Sequence, residues 1–197
     1  NFALGDMGQL EATSDGAGVS TYLTVNTIIY DDEMAKMQGI IDAAKEAGIT
    51  AIIASDIAAI EYARSVGVEV HISTQANISN TAAVRYFARY ADVVVLAREL
   101  NLDQVAAIHR AIEQEHITGP KGEPVKIEMF CHGALCMAVS GKCYLSLHQM
   151  NSSANRGGCT QICRRSYTVT DRETGDSLNI ENKYIMSPKD LKTIHFL

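Results

Sequence analysis

Residues 49–74, ITAIIASDIAAIEYARSVGVEVHIST, contain the pattern on which the fold assignment depends. Two short runs rich in β-branched residues, 49–54 and 68–74, flank a segment of helical length. Asp56 stands where a helix cap is needed, and Gly67 provides a natural end to the helix. The stretch therefore predicts a strand, a crossover helix and a second, parallel strand.

The same alternation continues on both sides of this stretch. The predicted strands are 21–26, 49–54, 68–74, 92–97 and 125–130, and the helices between them begin at Asp31 or Asp32, at Asp56, at Asn80, and at Asn101 or Asp103. Outside these units, the sequence predicts a loop with a partial helix over 1–18, a loop over 118–124, and a helix that begins within 187–190.

Five such units suit either a barrel or an open doubly wound sheet. A complete eight-unit barrel typically takes about 250 residues. We therefore expect an α/β fold in which residues 1–197 form a single domain, a TIM-type (β/α) barrel that is incomplete in this chain. A cysteine-rich segment, 131–167, follows the last predicted strand.

Composition narrows the class of protein. The chain has 197 residues, of which 47% are hydrophobic, which is enough for a packed core. Its net charge of −6 argues against binding nucleic acid through a bulk positive field, although a local basic patch would still allow it. No apolar run reaches the length of a membrane span, and the first residues lack the features of a signal peptide, so the sequence predicts a soluble, cytoplasmic protein without a membrane span.

Polar residues follow the predicted strands one after another. They are Asn26, Ser55, Asp56, Thr74, Gln75, Asn77, Arg98, Glu99, Cys131 and His132. Parallel α/β enzymes carry their working residues just past the carboxyl ends of strands, so we expect Asn26, Gln75, Arg98, Glu99 and His132 to line one catalytic mouth. As an alternative, Asp56 and Asn77 act only as helix caps, and Arg98 and Glu99 form a surface pair.

The five cysteines of the chain all lie between 131 and 163. An odd number of cysteines without a secretory signal favours a metal or cluster site over a disulfide framework. From Cys136 the spacing is C-x6-C-x15-C-x3-C, through Cys143, Cys159 and Cys163. Cys131 stands outside this pattern.

Four thiolates suit either a tetrahedral zinc ion or an iron–sulfur cubane. Structural zinc sites usually contain paired C-x2-4-C knuckles, and only Cys159 with Cys163 has that spacing. The long, irregular spacing favours a cluster, with zinc or free thiols as the alternatives. Basic residues that would offset an anionic cluster or bind a phosphate-bearing substrate stand nearby, and a solvated basic face is the alternative for them: Lys142, Arg156, Arg164 and Arg165.

The cysteine segment and several strand ends resemble family 32 of the peptidases of unknown catalytic type, the collagenase-like proteases. The matching residues in the segment are Glu128, Phe130, His132, Gly133, Ala134, Leu135, Cys136, Ser140, Gly141, Cys143, Ser146, Asn155, Arg156, Gly157, Cys159, Cys163, Arg164 and Tyr167. The matching strand ends are 24–26, 71–77 and 94–100. The resemblance covers nearly all of residues 21–191.

This resemblance implies a function. Members of the family are similar to oxygen-independent hydroxylation proteins that hold a 4Fe–4S cluster, which implies Cys136, Cys143, Cys159 and Cys163 as ligands here. Some hydroxylate a tRNA uridine or an rRNA cytidine with prephenate as oxygen source, and others hydroxylate ubiquinone precursors as a pair. We expect an RNA-hydroxylating enzyme, with an RNA substrate and a prephenate-type small molecule as partners.

A peptidase that acts on protein substrates is the competing interpretation. The chain contains neither an H-E-x-x-H zinc motif nor a G-x-S-x-G nucleophile elbow. Cys131 beside His132 is the one pair that could supply a nucleophile and a base, but adjacent residues on a strand point to opposite faces.

Overall fold

The computed structural model describes residues 4–136, 138–181 and 190–193. The chain divides into two compact units, with the boundary between Met129 and Phe130. The single-domain assignment stays a prediction, because two compact units can still fold cooperatively as one domain.

The first unit contains a five-stranded parallel sheet. Its strands are β1 (Tyr22–Val25), β2 (Ala51–Ala54), β3 (Val70–Ile72), β4 (Val93–Val95) and β5 (Lys126–Glu128). Their order in the sheet equals their order in the chain, and every neighbouring pair is parallel. Each strand lies inside its predicted range, so the parallel α/β class is confirmed. Closure of the sheet into a barrel stays a prediction.

Helices precede the sheet and connect its strands. They are α1 (Met7–Asp15), α2 (Met34–Ala47), α3 (Ile57–Ser65), α4 (Thr81–Phe87) and α5 (Leu102–Gln114). Polar side chains cap three of them: Asp56 accepts from Ala58 N, and Asn80 accepts from Ala83 N, each at 2.9 Å. Asn101, rather than Asp103, is the cap of α5 and forms a reciprocal capping box with Gln104. Ahead of α2, Asp31–Glu33 form a separate 3-10 turn.

The apolar core of the first unit lies around the sheet. Among its fully buried side chains are Ile52, Ile72 and Val94 from the strands, and Ile41 and Ile60 from the helices. Residues 118–124, predicted as a plain loop, form a closed turn in which Thr118 and Pro124 make an isolated antiparallel bridge. None of the helices in the described parts of the chain is long and apolar enough to cross a membrane.

The second unit consists of short elements. Its strands and α-helix are β6 (His132–Gly133), α6 (Leu145–Met150), β7 (Tyr167–Thr170), β8 (Ser177–Ile180) and β9 (Leu191–Lys192). Short 3-10 turns at Val139–Gly141, Ala154–Arg156 and Ile162–Arg164 lie between them. Strand β6 pairs with β9, and β7 pairs with β8 as a hairpin, both antiparallel. Of the helix predicted to begin within 187–190, residues 187–189 lie outside the described residues. Because Leu191–Lys192 are extended and paired with β6, that helix does not continue through them.

Candidate functional site

Three polar side chains meet at the carboxyl edge of the sheet in the first unit. Asn26 follows β1, while Ser73 and Gln75 follow β3. Asn26 Nδ2 donates to Gln75 Oε1 at 3.0 Å, and Ser73 Oγ donates to the same oxygen. Asn26 and Gln75 are half-buried, whereas Ser73 is buried. The parallel register therefore brings two predicted site residues, separated by 49 positions in the chain, into direct contact.

Two further residues of this edge hold the backbone. Ser55 Oγ donates to the carbonyl oxygen of Asn26 at 3.1 Å. One carboxylate oxygen of Asp56 caps α3, and the other accepts from the backbone N–H of Ile29 at 3.1 Å. Both oxygens of Asp56 thus bind backbone groups, which favours the helix-cap interpretation of this residue.

The hydroxyl group of Thr74, at the same edge, is in an unusual environment. Its oxygen atom is buried and has no hydrogen-bond partner among residues 4–136, 138–181 and 190–193. A buried polar group without a partner is destabilising by about 1–3 kcal/mol. Such groups in native proteins call for an explanation, and a bound ligand or water is one of the available ones.

The remaining predicted site residues take different positions. Arg98 and Glu99 form a turn that follows β4, with Arg98 half-buried and Glu99 exposed. His132 is exposed and belongs to β6, in the second unit. The grouping of all five residues around one mouth therefore stays a prediction. Of these five residues, the structure shows Asn26 and Gln75 in contact.

In the second unit, the segment after Cys143 folds back on itself. The backbone N–H of Cys143 donates to Asn155 Oδ1 at 3.1 Å. The buried Ser146 hydroxyl accepts from the backbone N–H of Thr160 at 3.1 Å, and the Thr160 hydroxyl lies 3.2 Å from it. Because Thr160 directly follows Cys159, these bonds draw the two halves of the long spacer together.

A tight turn at Gly158 completes this return. Gly158 N donates to Ser153 O at 2.8 Å, and Ser152 Oγ donates to Gly158 O at 2.7 Å. A Cβ atom at position 158 would lie 2.5 Å from Ser152 Oγ and 3.1 Å from Ser153 O. A side chain at position 158 would displace the Ser152 hydroxyl and press on the Ser153 carbonyl, so the turn favours a glycine.

Electrostatics identify the neighbours of Cys163. Burial raises the pKa of the Cys163 thiol, and the charges of Cys159, Cys136 and Cys143 raise that pKa further. The Arg164 guanidinium acts in the opposite direction. The three cysteines that act on the Cys163 pKa are the other members of the spacing pattern, and Cys131 is not among them.

Exposure and hydrogen bonding differ among the five thiols. Cys136 and Cys159 are exposed, while Cys131, Cys143 and Cys163 are half-buried. Cys143 Sγ accepts from the backbone N–H of Leu145 at 3.4 Å. The backbone carbonyl of Cys131 accepts from the N–H and the hydroxyl of Thr193, at 3.0 and 2.6 Å. Cys131 is thus tied by its backbone to the residue that follows β9.

Among the described residues, no group of three or more His, Cys, Asp or Glu side chains is arranged to hold a single metal ion. The charge interactions of Cys163 nevertheless connect all four cysteines of the spacing pattern. The two observations are compatible, because a polynuclear cluster holds its ligands farther apart than one ion does. Ligation itself stays a prediction.

The basic residues of the segment are distributed around the cysteines. Lys142 and Arg165 are exposed, and Arg156 and Arg164 are half-buried. Arg164 Nη2 bonds to Asp190 Oδ1 at 3.1 Å. The Arg164 guanidinium therefore interacts with the Asp190 carboxylate and also lowers the pKa of the Cys163 thiol.

Three residues with a structural role in these sites were not among the predicted site residues. Ser73 fixes the orientation of Gln75, and Asn155 and Ser146 close the spacer. The family resemblance includes all three positions. A serine or asparagine between ligand cysteines is a usable signal, because such side chains commonly bond to the backbone of nearby loops.

Comparison with known proteins places these observations in a family. The family model described as Peptidase family U32 matches residues 1–197. A protein of Porphyromonas gingivalis named "Collagenase" is 64% identical over 197 residues, which are 100% of this chain and 48% of that relative.

More distant relatives carry names from RNA modification. The "23S rRNA 5-hydroxycytidine C2501 synthase" of Escherichia coli is 38% identical over 95% of this chain and 27% of its own length. The "tRNA hydroxylation protein P1" of Bacillus subtilis is 32% identical over 98% of this chain and 45% of its own length. This chain spans about half or less of these relatives. From the match over all of its residues, the chain belongs to peptidase family U32.

Proposed function

We propose that this protein takes part in hydroxylation of a pyrimidine base in RNA, with a 4Fe–4S cluster held by Cys136, Cys143, Cys159 and Cys163. The observation that carries the proposal is the folded-back spacer, whose hydrogen bonds join the residues at Cys143 to those beside Cys159, and the charge interactions of Cys163 with the other three thiols support it. The names of the E. coli and B. subtilis relatives support the RNA substrate.

The donor set fits a cluster better than zinc. Four thiolates around one zinc ion, at a Zn–S distance of 2.3 Å, would lie about 3.8 Å from each other. No such tight group occurs among the described residues, although the charges of the other three cysteines raise the pKa of Cys163. A cubane spreads its four ligands over several ångströms, which agrees with both facts.

The surroundings also suit a cluster. When bound, the cluster would supply electron-transfer chemistry. Half-burial of Cys143 and Cys163 limits their contact with water, and the N–H of Leu145 stabilises negative charge on Cys143 Sγ. Arg164 offsets negative charge at Cys163. Leu145 and Arg164 would thus offset negative charge on two of the proposed ligands, against the burial and the neighbouring thiols that raise the pKa of Cys163.

The first unit supplies polar groups suited to a substrate. Asn26 and Gln75 hold each other at the carboxyl edge of the sheet, the usual location of substrate sites in parallel α/β enzymes. A prephenate-type molecule is the proposed oxygen source. The cytoplasm, which contains both RNA and such metabolites, is the proposed location.

Peptidase activity is the second candidate, because a relative that is 64% identical is named "Collagenase". Its chemistry would depend on Cys131 as nucleophile and His132 as base. Cys131 directly precedes β6 and His132 begins it, and adjacent residues of an extended chain point to opposite faces. We therefore prefer hydroxylation.

Iron binding tests the cofactor. The protein is reconstituted without air, and iron and sulfide are measured for the parent and for five single Cys→Ser variants. We expect iron to fall by more than half in the Cys136, Cys143, Cys159 and Cys163 variants, because each removes one ligand. Cys131→Ser is the matched control and should bind iron like the parent. Equal iron in Cys143→Ser and the parent would contradict the assignment.

RNA analysis tests the reaction. The gene is deleted in the source organism, and nucleosides from its tRNA and rRNA are compared by mass spectrometry. We expect one hydroxylated pyrimidine to disappear, to return with the parent gene and with Cys131→Ser, and to stay absent with Cys143→Ser. Unchanged RNA, together with a casein-cleaving activity that Cys131→Ser abolishes, would instead establish the peptidase.

A further inference from the structure

Two polar atoms of Asn26 and Gln75 take no part in the hydrogen bond that joins the two side chains. Gln75 Oε1 accepts from both Asn26 Nδ2 and Ser73 Oγ. Within the part of the chain that the structure describes, Asn26 Oδ1 and Gln75 Nε2 have no hydrogen-bond partner. The pair therefore presents one acceptor and one donor, each attached through a single carbon to an atom of the shared hydrogen bond.

This combination does not depend on how the two amides are oriented. If both amides were rotated by half a turn, Gln75 Nε2 would donate to Asn26 Oδ1 and to Ser73 Oγ. Gln75 Oε1 and Asn26 Nδ2 would then be left over, which is again one acceptor and one donor. Two amides that share one hydrogen bond always leave such a complementary pair.

We propose that Asn26 and Gln75 together bind the Watson–Crick edge of a pyrimidine base. This inference rests on the proposed function and names the residues that would recognise the base. Uracil presents N3–H beside a carbonyl oxygen, and cytosine presents an amino group beside the N3 acceptor. Each edge matches the amide pair in one of its two orientations. Proteins that act on single nucleotides commonly read this edge by hydrogen bonds.

The chemistry of the ligand favours a base over a peptide. In a trans peptide the N–H and C=O groups of one peptide unit point in opposite directions. In a pyrimidine, the donor and acceptor are neighbours on one edge of a rigid ring. Binding by that edge also leaves C5 free, and C5 is the position named in the product of the E. coli relative.

The surrounding contacts restrict how the pair can move. Ser73, which is buried, fixes the Gln75 carboxamide, and Ser55 holds the backbone of Asn26. A site with pre-oriented groups loses little entropy on binding and rejects ligands that leave a group unpaired. Discrimination between bases with free and blocked N3 positions is therefore the property to measure.

The experiment measures nucleoside binding by NMR of the side-chain amide groups in the full chain. Uridine and cytidine are the probes, and 3-methyluridine, whose N3 cannot donate, is the blocked analogue. The Gln75→Glu variant retains an acceptor for Asn26 and Ser73 but lacks the Nε2 donor. Gln104→Glu is the matched control, since it changes the charge equally at an exposed amide that caps α5.

We expect uridine and cytidine to shift the Asn26 and Gln75 amide resonances. 3-Methyluridine should bind at least about tenfold more weakly than uridine, because one hydrogen bond is lost. Gln75→Glu should weaken uridine binding to a similar extent at an unchanged melting temperature, while Gln104→Glu should bind like the parent. Equal binding of uridine and 3-methyluridine, uridine binding by Gln75→Glu at parental strength, or the absence of shifts at both amides would overturn the inference.

These results separate the inference from the proposed function. A protein that binds iron and hydroxylates RNA but fails the nucleoside test contradicts the base-reading role alone. A protein that passes the nucleoside test but binds no iron and leaves RNA unchanged contradicts the proposed function alone.

Discussion

Asp56 and Asn26 lie at the same edge of the sheet, but their side chains have different partners. Asp56 uses both carboxylate oxygens on backbone N–H groups, those of Ala58 and Ile29. Asn26 bonds to another side chain, Gln75, and keeps its oxygen available. At the level of single residues, the partners of a polar group indicate whether it supports the backbone or is available to a ligand.

This distinction leads to a prediction for Asp56→Ala. The free energy of unfolding should fall by about 1–2 kcal/mol, because the cap of α3 and the bond to Ile29 are lost together. Urea denaturation measures the change, and Asp56→Asn, which retains a good capping group, should lose less. Nucleoside binding should persist in Asp56→Ala. Loss of binding at unchanged stability would mean that Asp56 contacts the ligand.

Residue patterns could predict part of the candidate site. Asn26 and Gln75 were identified because each follows an apolar strand of a parallel sheet, whose carboxyl ends share one edge. Their hydrogen bond could not be predicted, since it depends on side-chain orientation and on Ser73, which looked like an ordinary end of a strand. In the same way, the spacing of the cysteines gave no indication that Ser146 would close the spacer.

At the scale of elements, the strands of the first unit were predictable and the elements of the second were less so. Strands β2 and β4 are continuous apolar runs in a parallel sheet, so their apolar sequence alone is enough to identify them. The β7–β8 hairpin is exposed and short, and its burial pattern carries no alternation. Its signal was the β-branched run 167–170 before the turn 171–176, where Asp171 Oδ1 accepts from two backbone N–H groups.

The turn at 118–124 shows how an apparent loop becomes a fixed element. Gly119 N donates to Glu123 O at 2.9 Å, and Lys121 N donates to Asp92 Oδ1 at 2.9 Å. A Cβ atom at Gly119 would lie 2.4 Å from Asp92 Oδ1 and 2.8 Å from Asp92 Cα. The turn therefore packs directly against the start of β4, and position 119 has no room for a side chain.

Gly119→Ala should consequently lower the free energy of unfolding by about 1–3 kcal/mol, the range found when added atoms force the backbone to shift. Gly39→Ala is the control. Gly39 lies in α2, and a Cβ atom there would meet no atom within 4 Å, so the substitution should raise stability by about 0.5–1 kcal/mol. Thermal and urea unfolding measure both variants. Equal effects of the same sign would contradict the packing argument.

At the scale of the whole molecule, the two units differ in what can stabilise them. The hydrophobic cluster of buried residues lies entirely between Val25 and Val125, in the first unit. Among the described residues of the second unit, Ile162 is the one buried apolar side chain. Segments of fewer than about 80 residues rarely fold on a small core alone and usually need a metal, a disulfide or a partner. All five cysteines of the chain lie in this unit as free thiols.

The proposed cluster would therefore stabilise the second unit as well as take part in chemistry. Cofactor binding by unfolded ligands contributes directly to folding free energy, so removal of the cluster should loosen the segment that its ligands hold together. The first unit, with its own core, should be indifferent to that removal. Stability in this molecule would then be local, with one unit dependent on the cofactor and the other independent of it.

Hydrogen exchange followed by mass spectrometry tests this difference directly. After anaerobic reconstitution and removal of the cluster with a chelator, peptides covering 138–181 should exchange at least about tenfold faster than in the loaded protein, because local opening no longer breaks ligand bonds. Peptides from α2, β2 and α3 should exchange at the same rate in both states, since their protection comes from buried side chains such as Ile41 and Ile60. Cys143→Ser should behave like the stripped protein, and Cys131→Ser like the loaded parent. If peptides of 138–181 exchanged equally in both states, the second unit would have to be held by contacts other than its four cysteines.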